Sequence, residues 1–248
     1  MAFLFALLGL FIGALVNRLG TDLPTRRRVT RPHCPYCGRN RPWWQWVSLP
    51  SYVIGRTKCP YCGAPIRLRY PLVEIGMAVA YGYLWTFLGV DIRLPLYLVY
   101  TTVYAIILIT DFERRLILNV VTYPAILFAI IAGFITPEMT WWSALAGGVI
   151  AFVFFLIVGI VGNTIFGSGA LGEGDIKLAL FVGLTTGFPL VIEAMVLTII
   201  IGATISGLLL ITRLRSLRDY VPYGPFLVAG GLITLLWGYT IADWYMYR

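Results

Sequence analysis

Eight apolar runs joined by short polar segments leave this chain few folds to choose from. They cover residues 2–17, 71–90, 94–110, 119–135, 143–166, 176–188, 190–212 and 225–242. A helix of about twenty apolar residues crosses the hydrocarbon core of a bilayer. In hydrocarbon only helices and closed barrels satisfy their own backbone polar groups. The chain is 59% hydrophobic and 12% charged, with a mean hydropathy of +0.85; soluble domains are about half apolar and about a quarter charged. The expectation is an all-α polytopic membrane protein with about eight transmembrane helices. The run 176–188 is short, and Gly187-Phe188-Pro189 after it reads as a turn, so it counts as a separate span. The first run has no basic start and no small-residue cleavage pattern before Arg18, and reads as a retained helix.

Residues 20–70 are different: rich in Arg, Pro, Cys and Trp, with no apolar run. The expected division is a first transmembrane helix at 1–19, an extramembrane domain at 20–70, and a membrane-embedded domain at 71–248. Placing 20–70 in the cytoplasm puts seventeen of the nineteen Lys and Arg residues on that side, with only Arg93 and Arg248 outside. This is a strong positive-inside bias. The net charge of +8 therefore reports topology and contact with anionic lipid, not nucleic acid. Both termini are then external. With a single histidine, His33, a multi-histidine metal site is excluded; His33 itself reads as a solvated loop residue.

Four cysteines stand in two nearly identical strings, Cys34-Pro-Tyr-Cys37-Gly and Cys59-Pro-Tyr-Cys62-Gly. Each Cys-x-x-Cys turn lets two thiolates grip one metal, with the glycine freeing backbone N–H groups for the sulfurs. Two turns complete the four sulfur ligands of a structural zinc site, without an open position for chemistry. Iron fits the same sulfurs. Two disulfides would conflict with a cytoplasmic placement.

Two carboxylates stand at the edges of apolar runs. Asp111 closes 94–110, and Asp175 opens 176–188 within Gly172-Glu173-Gly174-Asp175-Ile176-Lys177. Ionisable groups at such depth are costly and usually functional. The charge-derived topology brings both to the cytoplasmic edge although sixty-four positions separate them. Two carboxylates sharing a proton suffice for peptide hydrolysis, one activating water and the other polarising the scissile carbonyl. Gly172 and Gly174 allow close backbone approach. Asp175 also reads as an N-terminal cap, and Asp111 as a partner of Arg114 or Arg115.

The string Gly172-x-Gly174-Asp175-x-Lys177 resembles the GxGD signature of intramembrane aspartyl proteases. The chain as a whole resembles the bacterial type IV prepilin peptidases. The two cysteine strings, Arg69-Tyr70-Pro71-Leu72-Val73-Glu74, Asp111 with Arg114-Arg115-Leu116-Ile117-Leu118-Asn119, the GxGD string and Val221-Pro222-Tyr223-Gly224-Pro225-Phe226 fall in family order. The resemblance implies an aspartic endopeptidase of the bacterial inner membrane, with Asp111 and Asp175 as its catalytic pair. It implies cleavage of the basic leader of prepilins or pseudopilins after a Gly, in type IV pilus or type II secretion systems. It further implies N-methylation of the new N-terminal residue with S-adenosylmethionine, an activity that goes with the cysteine domain. The stretch that follows the first helix in the family is compressed here to Asn17-Arg18-Leu19, which bears on the pocket beside that helix.

Around these groups, Glu74 is a candidate for a polar substrate group, the incoming amine or the cofactor, against a buried ion pair with an Arg. Lys177 tunes the carboxylate pair or meets a lipid phosphate. Tyr61 and Trp43-Trp44 either stack on an adenine or form the small core of the cysteine domain. The rival functions are a GxGD peptidase without methyl transfer, a small proton- or cation-coupled transporter, and a zinc-stabilised scaffold. Transporters place such carboxylates near the midplane and often carry repeats; here the carboxylates share one edge, and no repeat of spans is visible.

Overall fold

The computed structural model describes residues 1–26, 29–137, 139–166, 171–213 and 222–246. Arg215, Arg218, Val221 and the Trp43 side chain, all used in the sequence argument, lie outside the described residues. Among the described residues there are nine α-helices, one 3₁₀ turn and no strand. The helices are α1 (Ala2–Arg26), α2 (Ser48–Val53), α3 (Arg69–Leu88), α4 (Arg93–Arg114), α5 (Asn119–Gly133), α6 (Trp141–Phe166), α7 (Glu173–Thr186), α8 (Leu190–Ile211) and α9 (Gly224–Met246). The chain forms two compact units, Met1–Ile109 and Thr110–Arg248, with α4 running from one into the other.

All eight apolar runs become helices. Six are long and apolar enough to cross a membrane: α1, α3, α4, α6, α8 and α9. This is a multi-pass membrane protein. The other two are shorter, α5 with 15 residues and α7 with 14. At about 1.5 Å of rise per residue they reach little over 20 Å, against a hydrocarbon core of about 30 Å. At the other extreme α1 runs to Arg26, past the apolar segment and through Pro24.

In the first unit α1 packs along α3. Glycines set the approach: a Cβ on Gly13 would lie 2.7 Å from Glu74 Cα. The polar ends of the two helices are tied as well. Asn17 Nδ2 donates to the Tyr70 carbonyl at 2.9 Å, and Arg69 Nη2 donates to Thr21 Oγ1 at 2.7 Å. Toward the other end the Tyr81 hydroxyl and Thr102 Oγ1 are 2.7 Å apart, joining α3 to α4.

In the second unit α7 is the central helix, packed against α5, α6, α8 and α9. Leu178, Ala179, Phe181 and Val182 are almost wholly buried. Protein, not lipid, surrounds α7, which is why a helix too short to span alone is stable there. Gly147 and Gly183 let α6 and α7 touch backbone to backbone; a Cβ on Gly147 would meet Gly187 Cα at 2.9 Å. Small residues at a crossing are the usual device for close helix packing in membranes. Helix α7 ends at Gly187, whose φ of +70° suits glycine, and α8 begins after Pro189. The break falls on the turn that the sequence indicated.

Candidate active site and metal centre

Asp111 lies in the last turn of α4 and Asp175 in the first turn of α7. Both are in the second unit, and both are buried, at 5% and 4% exposure. They are within electrostatic reach of each other. Asp175 Oδ2 would be 3.2 Å from a Cβ on Gly172, and its carboxylate accepts the Gly172 backbone N–H. That is a reach back to the residue preceding the helix, the geometry of a capping box. Capping and proximity to Asp111 therefore coexist in Asp175. Asp111 packs on the start of α9, where a Cβ on Gly224 would be 2.5 Å from its Oδ2. Asp111 Oδ2 is buried and makes no hydrogen bond of good geometry among the described residues, while the Gly224 backbone N–H is close enough to act on the carboxylate.

At Gly174 the close approach is made by the protein itself; a Cβ on it would strike Ile117 Cβ at 2.8 Å. Its smallness seats the 115–118 segment, after Asp111, against the start of α7. Gly172 and Gly224 leave room for the two carboxylates themselves. Glu173 between the glycines is exposed. Lys177 Nζ donates to Asn119 Oδ1 at 3.1 Å and lies 5.4 Å from the Tyr123 ring centroid. It thus ties α7 to the first turn of α5. Tyr223, just before α9, is near enough to Asp175 to feel its charge and packs edge-on to Phe226. Arg115 lies within electrostatic reach of Asp111.

In the first unit the four cysteine sulfurs lie within 4.8 Å of one another. Cys34 and Cys62 sulfurs are 3.7 Å apart, and those of Cys37 and Cys59 are 4.0 Å apart. Tetrahedral zinc with Zn–S bonds of about 2.3 Å needs sulfur pairs about 3.8 Å apart. A disulfide needs about 2.05 Å, and all four cysteines are free. The set fits a tetrahedral metal. The two strings fold alike: Gly38 N–H donates to the Cys34 carbonyl and Gly63 N–H to the Cys59 carbonyl, both at 2.9 Å. Both glycines sit at φ +71°. They close the turns by donating to carbonyls, while backbone N–H groups of the second turn reach the Cys59 and Cys62 sulfurs. Burial alone would raise the Cys59 thiol, but hydrogen bonds from the backbone at Tyr61 and Cys62 and from neighbouring thiols bring it down to about 7. A thiol so placed gives up its proton to a metal readily. At Cys62 the backbone at Ala64 lowers the thiol, but burial and the clustered thiols together push it up to about 12.

Glu74 is 1% exposed on α3. Its two oxygens accept the Ser48 N–H at 2.8 Å and the Leu49 N–H at 2.7 Å, at the start of α2. The backbone thus takes up both sides of the carboxylate, with Arg41 in electrostatic range. His33 is not solvated. Its side chain is 11% exposed, with Nδ1 3.2 Å from Thr30 Oγ1 and 3.9 Å from Asp22 Oδ1. The reason is Asp22, 2% exposed on the extension of α1, which also accepts the Thr30 N–H at 2.8 Å. Asp22 was not among the candidate residues. Its signal was an acid four residues after a basic one at the end of an apolar run. Tyr61 is exposed, with the Arg39 guanidinium 5.3 Å above its ring, and Trp44 is exposed too.

A multi-pass helical fold, a buried carboxylate pair at two helix ends and a four-sulfur centre define a class of membrane enzyme whose relatives are recognisable. The model of the bacterial peptidase A24 N-terminal domain matches residues 7–88, and that of the type IV leader peptidase family matches residues 98–207. The chain belongs to the type IV leader peptidase family. Among similar proteins is a prepilin leader peptidase/N-methyltransferase of Bacillus subtilis, 25% identical over 240 residues, covering 96% of this chain and 95% of that one. Another of the same description, from Xanthomonas campestris, is 25% identical over 96% of this chain and 92% of its own. A third, from Pseudomonas aeruginosa, is 29% identical over 86% of this chain and 73% of its own. No solved structure matches the chain.

Proposed function

We infer that this protein is a prepilin peptidase and N-methyltransferase of the bacterial inner membrane. It removes the basic leader of type IV prepilins or pseudopilins after a Gly at the cytoplasmic face, then methylates the exposed amine. Both termini lie outside the cytoplasm. Asp111 and Asp175 form the catalytic pair, and the observation that carries this is their shared burial within electrostatic reach of each other. The pair shares one proton, because two close carboxylates cannot both ionise cheaply. The ionised carboxylate takes a proton from water as its oxygen attacks the scissile carbonyl. The protonated one gives its proton to the carbonyl oxygen. When the C–N bond breaks, the electron pair leaves with nitrogen, which takes up a proton, and the carboxylate pair is restored.

Cys34, Cys37, Cys59 and Cys62 hold one structural zinc, with Gly38 and Gly63 closing the turns. Gly172, Gly174 and Lys177 position Asp175 and its helix. S-adenosylmethionine, when bound, supplies an electrophilic methyl group. The chain's part is to hold the neutral amine in line with it and to accept the proton released. Full-length enzyme co-expressed with a prepilin should yield a chain shortened by its leader and one methyl heavier at the new N-terminus, by mass spectrometry. Asp175→Asn enzyme given a pre-cut pilin should still methylate it. Wild-type enzyme that leaves the leader in place removes the peptidase reading. Complete cutting with an unmodified amine removes the transferase half.

A further inference from the structure

The cysteine domain carries an apolar tip. Val53, at the end of α2, is 81% exposed, and Ile54 after it is 69% exposed. Apolar residues scattered singly on a surface are ordinary, but these two stand together and beside charge. Gly55 turns the chain at φ +76°, and Arg56 and Lys58 follow, both exposed. Trp44, half exposed, lines the same cleft as Gly55, Arg56 and Lys58. Its carbonyl accepts the Ser51 hydroxyl of α2 at 3.2 Å. Apolar, aromatic and basic side chains thus share one corner of the domain.

Helix α3 fixes the depth of that corner. Its 20 residues rise about 30 Å, the thickness of the hydrocarbon core. Leu72, Ile75, Val79, Tyr83 and Phe87 are exposed at helical spacing and form its lipid face. The start of α2 is pinned to this helix, because Glu74 accepts the Ser48 and Leu49 N–H groups. Glu74 lies five residues past Arg69, about 7.5 Å inside the start of α3. Ile54 is six residues beyond Ser48, so it stays within about 10 Å of that level whichever way α2 points. The Tyr52 hydroxyl donates to the Ile66 carbonyl and holds the far end of α2 to the chain just before α3. The tip is therefore at most a few ångströms outside the hydrocarbon edge, within the headgroup layer.

We propose that this tip is a membrane anchor of the cysteine domain. Val53 and Ile54 insert between lipid headgroups, Trp44 lies at the interface, and Arg56 and Lys58 pair with lipid phosphates. A stable protein partner needs about 800 Å² on each side, which two aliphatic side chains and one indole do not supply. A lipid surface needs only a few apolar groups with cations beside them. The inference requires that α3 crosses the bilayer and is independent of the peptidase and transferase readings.

The test uses full-length enzyme in nanodiscs that contain phosphatidylglycerol with a photoreactive diazirine near its glycerol. After irradiation and digestion, mass spectrometry should find lipid on the peptide with Val53 and Ile54, as well as on α3. A Val53→Ser/Ile54→Ser double variant changes only exposed side chains. It should keep wild-type metal content and melting temperature, and lose that label about tenfold. Trypsin cleavage after Arg56 in nanodiscs should rise by about the same factor. Arg56→Gln/Lys58→Gln should abolish the preference of the label for phosphatidylglycerol over phosphatidylcholine. Wild-type label on α3 with none at 53–54, or equal label in the serine variant, overturns the anchor. Loss of metal or early melting in that variant makes the tip part of the domain's packing and overturns it too. So does protection of the tip that appears only as copies per nanodisc increase, which gives the face to a second copy of the chain.

Discussion

Replacing Glu74 should loosen the cysteine domain before it touches any chemistry. The side chain is 1% exposed and accepts two backbone N–H groups, from Ser48 at 2.8 Å and Leu49 at 2.7 Å. These are orphan donors of the first turn of α2, and no α2 residue caps them. Hydrogen bonds to a charged group contribute about 1.5–3 kcal/mol each, so the pair supplies roughly 3–6 kcal/mol. Glu74→Leu removes both and also relieves the cost of burying a carboxylate, which returns part of the loss. The net expectation is about 2–4 kcal/mol, or roughly a thirty- to thousandfold rise in local opening. A small metal-held domain has only a few kcal/mol in reserve. Limited proteolysis of the solubilised enzyme should therefore cut within residues 29–68 much faster in Glu74→Leu than in wild type. Glu74→Gln keeps one acceptor but turns an amide NH₂ toward the other N–H, and should fall between. Wild-type protection in both variants, with methyl transfer lost, would refute the capping argument and make Glu74 a ligand contact.

Other expectations follow from the same geometry. Asp111→Asn and Asp175→Asn should each abolish leader cleavage in a co-expression assay, and the double variant should be no worse, since paired residues act as a unit. Metal analysis should find one zinc per chain, and Cys37→Ser should lower it and expose residues 29–68 to protease. Gly174→Ala places a methyl 2.8 Å from Ile117 Cβ. It should cost about 1–3 kcal/mol of thermal stability and most of the cleavage activity, with Ile117→Ala restoring part of both.

The helices were legible because hydropathy alone dictates them in a bilayer. Two of them, α5 and α7, are shorter than a bilayer span, for a reason hydropathy does not carry. A helix that faces other helices need not match the bilayer, so α7 can stop at Thr186 and α5 at Gly133. Who surrounds a helix is a tertiary fact. The same limit explains Glu74 and Gly174. A lone acid in an apolar helix announces that something polar meets it, but not that the partner is the backbone start of α2. A glycine beside an acid announces a close approach, but not that the approaching group is Ile117. By contrast the cysteine strings were readable in full, because Cys-x-x-Cys-Gly is a local turn whose geometry four or five residues determine.

What the sequence could not carry in the first unit is the state of individual polar atoms. Asn17 reads as a residue at the end of an apolar helix, and Gln45 as one of many polar residues in a basic segment. Only packing reveals that each spends its nitrogen on a backbone carbonyl and keeps its oxygen buried without a donor. Charge in an apolar chain is conspicuous, so Asp111 and Asp175 stand out as candidates from sequence alone. Amide dipoles are everywhere in a polar loop, so an oxygen left without a donor shows only once the fold is known.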